Sequence, residues 1–196
     1  VGLDISASAI KLLELSGGDG GYVVESYGVE PLPENTVVEQ NIVDVAAVAE
    51  AIKRLQASTQ FKSKAAAVAV AGSAVITKTI EVPASLKENQ IEEQLLMDAD
   101  QYIPYPLDEV ALDFQVLEAT ARSEDMVDVL IAACRQEHIE SRQAALELSG
   151  LTPEVIDIEA HCVQRAIALD LELFTRDPAL GVPDVLAILD IGADMT

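Results

Sequence analysis

Basic residues are scarce in this chain. Lys and Arg number 12 against 34 Asp and Glu, giving a formal net charge of −22 over 196 residues. Nucleic-acid phosphates and anionic lipid headgroups both reward Lys/Arg clusters, so this balance argues against nucleic-acid binding and against direct docking on a membrane surface. It leaves room for partners with basic segments, beside the plainer role of a solvated, solubilising surface. Cysteine is almost absent as well. Cys134 and Cys162 stand alone, with no Cys-x-x-Cys pair and no zinc spacing, which reads as buried thiols in a reducing compartment. No apolar run reaches the roughly 20 residues that span a bilayer, and no signal-peptide pattern is visible. Trp is missing and only 4 Tyr and 3 Phe occur.

What is abundant is aliphatic. Half the residues are hydrophobic, mostly Ala, Val, Ile and Leu, and a chain of this length buries roughly 70% of its unfolded surface. The composition predicts an α/β protein with an aliphatic core. Three strands are expected in residues 1–30: Val1 to Ile5, Ala9 to Leu15 and Tyr22 to Glu30, the last two joined by the glycine-rich turn 17–21. Asp44 is placed to cap a helix over 44–57 whose Val45, Val48, Ile52 and Leu55 share a face. Ala65 to Ala71 reads as a strand buried on both faces if its sheet is parallel there.

The pattern then changes. Residues 75–82 form a strand, and Ser85 with Glu88 predict a capping box for a helix over 86–102. Strands at 110–116 and 126–134 follow, then a helix over 137–149 ended by Gly150 as its C′ glycine. This gives a small α+β unit at 75–150, set between core segments 1–74 and 151–196. The second core segment is read as a strand at 155–158, a helix at 160–174 and a last buried strand at 185–191.

One signature occurs at both ends: Leu3-Asp4-Ile5-Ser6-Ala7-Ser8 and Leu189-Asp190-Ile191-Gly192-Ala193-Asp194. In each, an apolar run delivers a carboxylate to its end and small residues follow. Two such turns, facing one another, would hold a phosphate chain and its Mg²⁺. Either Asp also serves as an ordinary cap of a strand end, and a short motif taken singly does not decide between the two.

With its twin turns, this order resembles half of an actin-like ATPase, a ribonuclease H-like lobe. In detail the sequence resembles the PilM family, the actin-like cytoplasmic proteins of type IV pilus assembly. The stretches that carry the resemblance are 2–15, 68–80, 99–107 (Ala-Asp-Gln-Tyr-Ile-Pro-Tyr-Pro-Leu) and 132–135, and it runs along the whole chain. It implies an actin-like lobe with an inserted SHS2-like subdomain, placed as in PilM and its cell-division relative FtsA. A second lobe is expected beyond residue 196, so the chain reads as part of a longer protein.

The resemblance also implies a site. Asp4, Asp190 and Glu159 would sit near Mg²⁺ through water. Ser6, Ala7, Ser8, Lys11, Gly192, Ala193, Asp194 and Thr196 would contact the phosphates of ATP or ADP, weakly in this fragment because the second lobe clamps the base. Ser6 and Ala193 replace glycines common in the superfamily, which speaks against fast hydrolysis, and no catalytic residue is assigned. The implied partner is the cytoplasmic N-terminal tail of the membrane protein PilN. Tyr102, Ile103, Pro104 and Tyr105 are candidate anchors, or else pack the helix end on its own sheet. Other inner-membrane platform proteins and the pilus motor ATPases are further implied partners, with membrane attachment indirect. An actin-fold ATPase or small-molecule kinase, and the cytoplasmic domain of a type II secretion protein, stand as alternatives.

Overall fold

The structure is a computed structural model that describes residues 1–18, 21–117, 125–174, 187–190 and 192. It divides into two compact units, one of Val1–Ala71 with Ser141–Thr196 and one of Gly72–Glu140. The second of these units spans Gly72–Glu140, beside the expected insert of 75–150.

In the first unit, β1 (Gly2–Ile5), β2 (Ala9–Gly18) and β3 (Gly21–Pro31) form an antiparallel meander. The short hairpin β4 (Val37–Val38) and β5 (Asn41–Ile42) follows, then helix α1 (Val45–Thr59) and strand β6 (Ala65–Val70). After the second unit the chain returns through β10 (Thr152–Ile158) and helix α4 (Glu159–Phe174). The five strands lie in the order β10-β6-β1-β2-β3, with β10, β6 and β1 parallel.

Local chemistry sets the helix ends. Asp44 Oδ1 accepts the Ala47 N–H at 2.9 Å and starts α1 as expected. The helix over residues 136–149, labelled α3 here, ends in a full Schellman arrangement. Gly150 sits at φ 82, its N–H reaches the Glu147 carbonyl, and the Leu151 N–H reaches the Leu146 carbonyl. Leu146 and Leu151 are both buried in the core that this closure protects.

One face of the sheet carries the core. Leu3, Ile5, Ile10, Leu12 and Val68 pack on Val48, Ile52 and Leu55 of α1 and on Ala145 and Leu146 of α3. This packing assigns the second half of α3 to the first unit. At Gly28, β3 lies close under α1: a Cβ there would stand 2.5 Å from Thr59 Cγ2 and 2.9 Å from Leu55 Cδ2. Gly28→Val overpacks this contact and is expected to cost about 1–3 kcal/mol in denaturant unfolding.

The sheet's other face differs from expectation. β6 is paired in parallel on both sides, yet its residues alternate between half-buried and buried. Only Ala66, Val68 and Val70 are interior; Ala67 and Ala69 face a cleft. The expected last strand also fails where it is described. Residues 187–190 carry no strand and are exposed, Leu189 to 75%. Apolar alternation gives a segment the capacity to join a sheet, but pairing needs a neighbouring strand, and these residues have none among those described. Residues 185, 186 and 191 lie outside the described residues.

In the second unit, β7 (Val75–Pro83), helix α2 (Glu88–Asp98), β8 (Val110–Val116) and β9 (Met126–Arg135) form an antiparallel sheet of order β7-β9-β8 under one helix. Ile91 and Leu95 of α2 pack on Val82, Val129 and Ile131. The predicted capping box is displaced. A turn closed by Leu86 N–H to the Pro83 carbonyl uses the residues around Ser85, so the helix starts later, with the Gln90 side chain accepting the Lys87 N–H at 3.0 Å. No helix among the described residues is long and apolar enough to cross a membrane.

Candidate functional site

The open face of the first unit's sheet forms a cleft of about 920 Å³. Its floor follows from strand parity. Val155 and Asp157 of β10 lie beside Ala67 and Ala69 of β6, then Gly2 and Asp4 of β1, then Lys11 and Leu13 of β2. Glu159, Cys162, Val163 and Arg165 of α4 form one wall, and Glu39 with Gln40 of the β4–β5 hairpin contribute to another. Asp190 and Gly192 complete the lining.

The structure thus gathers Asp4, Ser6, Ala7, Ser8, Lys11, Glu159, Asp190 and Gly192 around one cleft. Ala193, Asp194 and Thr196 lie outside the described residues. Three of the gathered groups, Ser6, Lys11 and Asp4, are already engaged. Ser6 gives both its N–H (3.0 Å) and its hydroxyl (2.9 Å) to the Ala9 carbonyl, closing the turn between β1 and β2. In this arrangement both Ser6 donors serve the turn. The N–H groups of Ala7 and Ser8 have no backbone partner among the described residues. Lys11 stands opposite Asp4 across the strand pair and bonds it at 2.8 Å. That hydrogen bond and the Asp4 charge hold the Lys11 ammonium above its ordinary pKa, so Lys11 reaches a ligand only by sharing Asp4.

The cleft is acidic. Asp4, Glu39, Asp157, Glu159 and Asp190 line it against Lys11 and Arg165, which pair with Asp4 and Asp157. Glu159 registers the excess. Partial burial is the main cause that pushes its carboxyl above the ordinary range. Asp4 and Asp190 add to the rise, and Arg142 opposes it. The folded state therefore binds this proton more tightly than the unfolded chain, and ionised Glu159 costs stability above its raised pKa. Glu159→Gln is expected to raise the melting temperature at pH 7. The gain should vanish below the ordinary glutamate range, where both states are protonated; a thermal-shift series from pH 4 to 8 checks this.

Sequence reasoning missed Asp157, Arg165, Arg142, Glu39 and Gln40. The period-2 row Val155, Asp157, Glu159 was legible, since alternation off a strand puts all three on one side. Arg142 left no local signal, because its carbonyl partners are 73 and 102 residues away. Cys162 also departs from expectation. It is half-buried in the cleft wall, where burial and the nearby Asp157 raise its thiol pKa.

The proposed partner anchors lie in the second unit. Ile103 is 4% exposed and packs with Ala99 and Ala133, and Tyr102 joins the same core with Lys78 Nζ 4.7 Å from its ring centroid. Their place at the end of α2 turns both onto the sheet, so Ile103 is a core residue rather than a free anchor. Pro104 is exposed and Tyr105 is 41% exposed, with the Arg135 guanidinium 5.6 Å from its ring.

A mixed five-stranded sheet with a carboxylate-lined cleft, and a separate three-stranded antiparallel unit under one helix, define a two-unit α/β protein with an acidic cleft on one unit. Residues 2–196 match the family described as type IV pilus assembly protein PilM, and the chain belongs to that family. It is similar to a chain in a solved PilM-PilN type IV pilus biogenesis complex, with 32% identity and a TM-score of 0.77 over 87% of this chain and 50% of that one. The cytoplasmic domain of EpsL, an inner membrane component of the type II secretion system of Vibrio cholerae, matches at 15% identity. Its TM-score is 0.48, over 80% of this chain and 56% of that one. The chain spans about half the length of these solved chains.

Proposed function

We propose that this chain is the actin-like, nucleotide-holding lobe of a cytoplasmic scaffold in type IV pilus biogenesis, with an SHS2-like insert. It captures the N-terminal tail of PilN at the inner membrane and binds ATP or ADP with Mg²⁺ as a structural ligand. The observation that carries the reading is membership of the PilM family together with the resemblance in sequence and fold to a chain of the PilM-PilN complex. The convergence of Asp4, Glu159 and Asp190 on one cleft supports the nucleotide part.

The donor set suits Mg²⁺, a hard cation that keeps several waters and takes one or two carboxylates with phosphate oxygens. Among the described residues, no three His, Cys, Asp or Glu side chains group closely enough to ligate a metal directly. Carboxylates acting through water are compatible with that spacing. Attachment to the membrane is through partners. Pro104 and Tyr105 are the exposed part of the 102–105 segment and are assigned to the tail, Tyr105 as the anchor.

Calorimetry with a synthetic PilN N-terminal tail, on the full-length protein with and without MgADP, tests both parts. Saturable binding of the tail, weakened by Tyr105→Ala, is expected. Failure of the full-length protein to bind the tail overturns the scaffold role, and rapid steady-state ATP turnover abolished by Asp190→Ala overturns the structural role of the nucleotide.

A further inference from the structure

The β4–β5 hairpin has an unusual tip. Val38 pairs with Asn41, leaving a two-residue loop of Glu39 and Gln40, and both residues are left-handed, at φ 48 and φ 66. A two-residue hairpin with positive φ at both positions selects Asn-Gly or Asp-Gly, because longer side chains crowd the backbone there. Glu-Gln has neither advantage, so something outside the hairpin must hold this conformation.

Arg142 of α3 is placed to do so. Its side chain is 2% exposed, so its donors must be satisfied inside the protein. Nε donates to the Ala69 carbonyl at 2.8 Å, and Nη2 donates to the Gln40 carbonyl at 3.2 Å. Ala69 belongs to the cleft floor and Gln40 to a cleft wall. One planar guanidinium therefore bridges floor and wall from below, and its charge also acts on Glu159.

We infer that Arg142 is a positioning residue that holds the strained Glu39–Gln40 turn in place as a wall of the ligand cleft. The turn's part in binding nucleotide rests on the function proposed above; the coupling between Arg142 and the turn does not. No ligand contact is needed from Arg142, which acts through the backbone it clamps.

A mutant cycle tests this. Arg142→Met is expected to lower the melting temperature by several degrees and to speed amide exchange over residues 37–43. Replacing the tip by Asn-Gly (E39N/Q40G) supplies a turn that holds itself. It should recover most of the Arg142→Met loss while giving a smaller gain in the native background. If Arg142→Met does not fold, Arg142→Lys, which keeps the charge and loses the fork, takes its place in the cycle. Affinity for MgATP should fall by about tenfold or more in the arginine variant and return with the Asn-Gly tip, a rescue that a general loss of stability does not predict. Additive melting shifts, or unchanged exchange at 37–43, would overturn the assignment. Absence of MgATP binding by the unmutated full-length protein would instead overturn the nucleotide reading, with the exchange and melting cycle still deciding the role of Arg142.

Discussion

ATP is expected to bind this protein at least about a hundredfold more tightly with Mg²⁺ than in the presence of a chelator. Among the described residues the cleft presents five carboxylates, and its two cations are each held by one of them. A bare triphosphate entering beside Asp190 and Glu159 meets like charge, with no unpaired lysine among the described lining residues to offset it. Two unit charges about 6 Å apart at an effective dielectric near 20 repel by roughly 3 kcal/mol, which is about the stated ratio. A divalent cation reverses the sign for both carboxylate and phosphate. Asp190→Asn should therefore weaken MgATP binding yet strengthen binding of metal-free ATP. Equal affinity with and without Mg²⁺, measured by calorimetry on the full-length protein, would defeat this account of the cleft.

Leu12→Ala is expected to cost about 2–5 kcal/mol, and its neighbour Leu13→Ala under about 1 kcal/mol. Leu12 is 0% exposed and sits in the core beneath α1, whereas Leu13 is 39% exposed and faces the cleft. The truncated Leu12 leaves a cavity in the core it shares with Ile52 and Leu55 of α1, which the helix and sheet cannot close without shifting. Against a typical total stability of about 5–15 kcal/mol, that loss is large enough to read directly from a urea midpoint. Similar losses for the two leucines would mean that the cleft face is covered in solution.

These two residues show where sequence reading stops. Residues 9–15 are apolar enough to be recognised as a strand, but the run includes Ile10, Leu12, Leu13 and Leu15. Apolar character alone does not say which of its faces receives a helix. The elements themselves were legible because their signals are local: Asp44 before a helical stripe, Gly150 after one, glycines between β2 and β3. The aspartates at the two ends of the chain were legible too, since a carboxylate at the close of an apolar run reads the same in any context. The displaced start of α2 was not, because a turn at Pro83 to Leu86 competed with the capping box for the same residues.

By itself, then, the sequence determined the order and type of nearly every described element, the acidic character and the Asp4 end of the cleft. These depend on residues a few positions apart. Tertiary structure decided the rest. It turned one face of β6 outward, paired Lys11 with Asp4, spent the Ser6 donors on Ala9 and buried Ile103. It also carried Arg142 beneath a turn that lies 102 residues away in the chain. Each of these depends on which surfaces the folded chain brings into contact, a long-range outcome that spacing and composition do not encode locally.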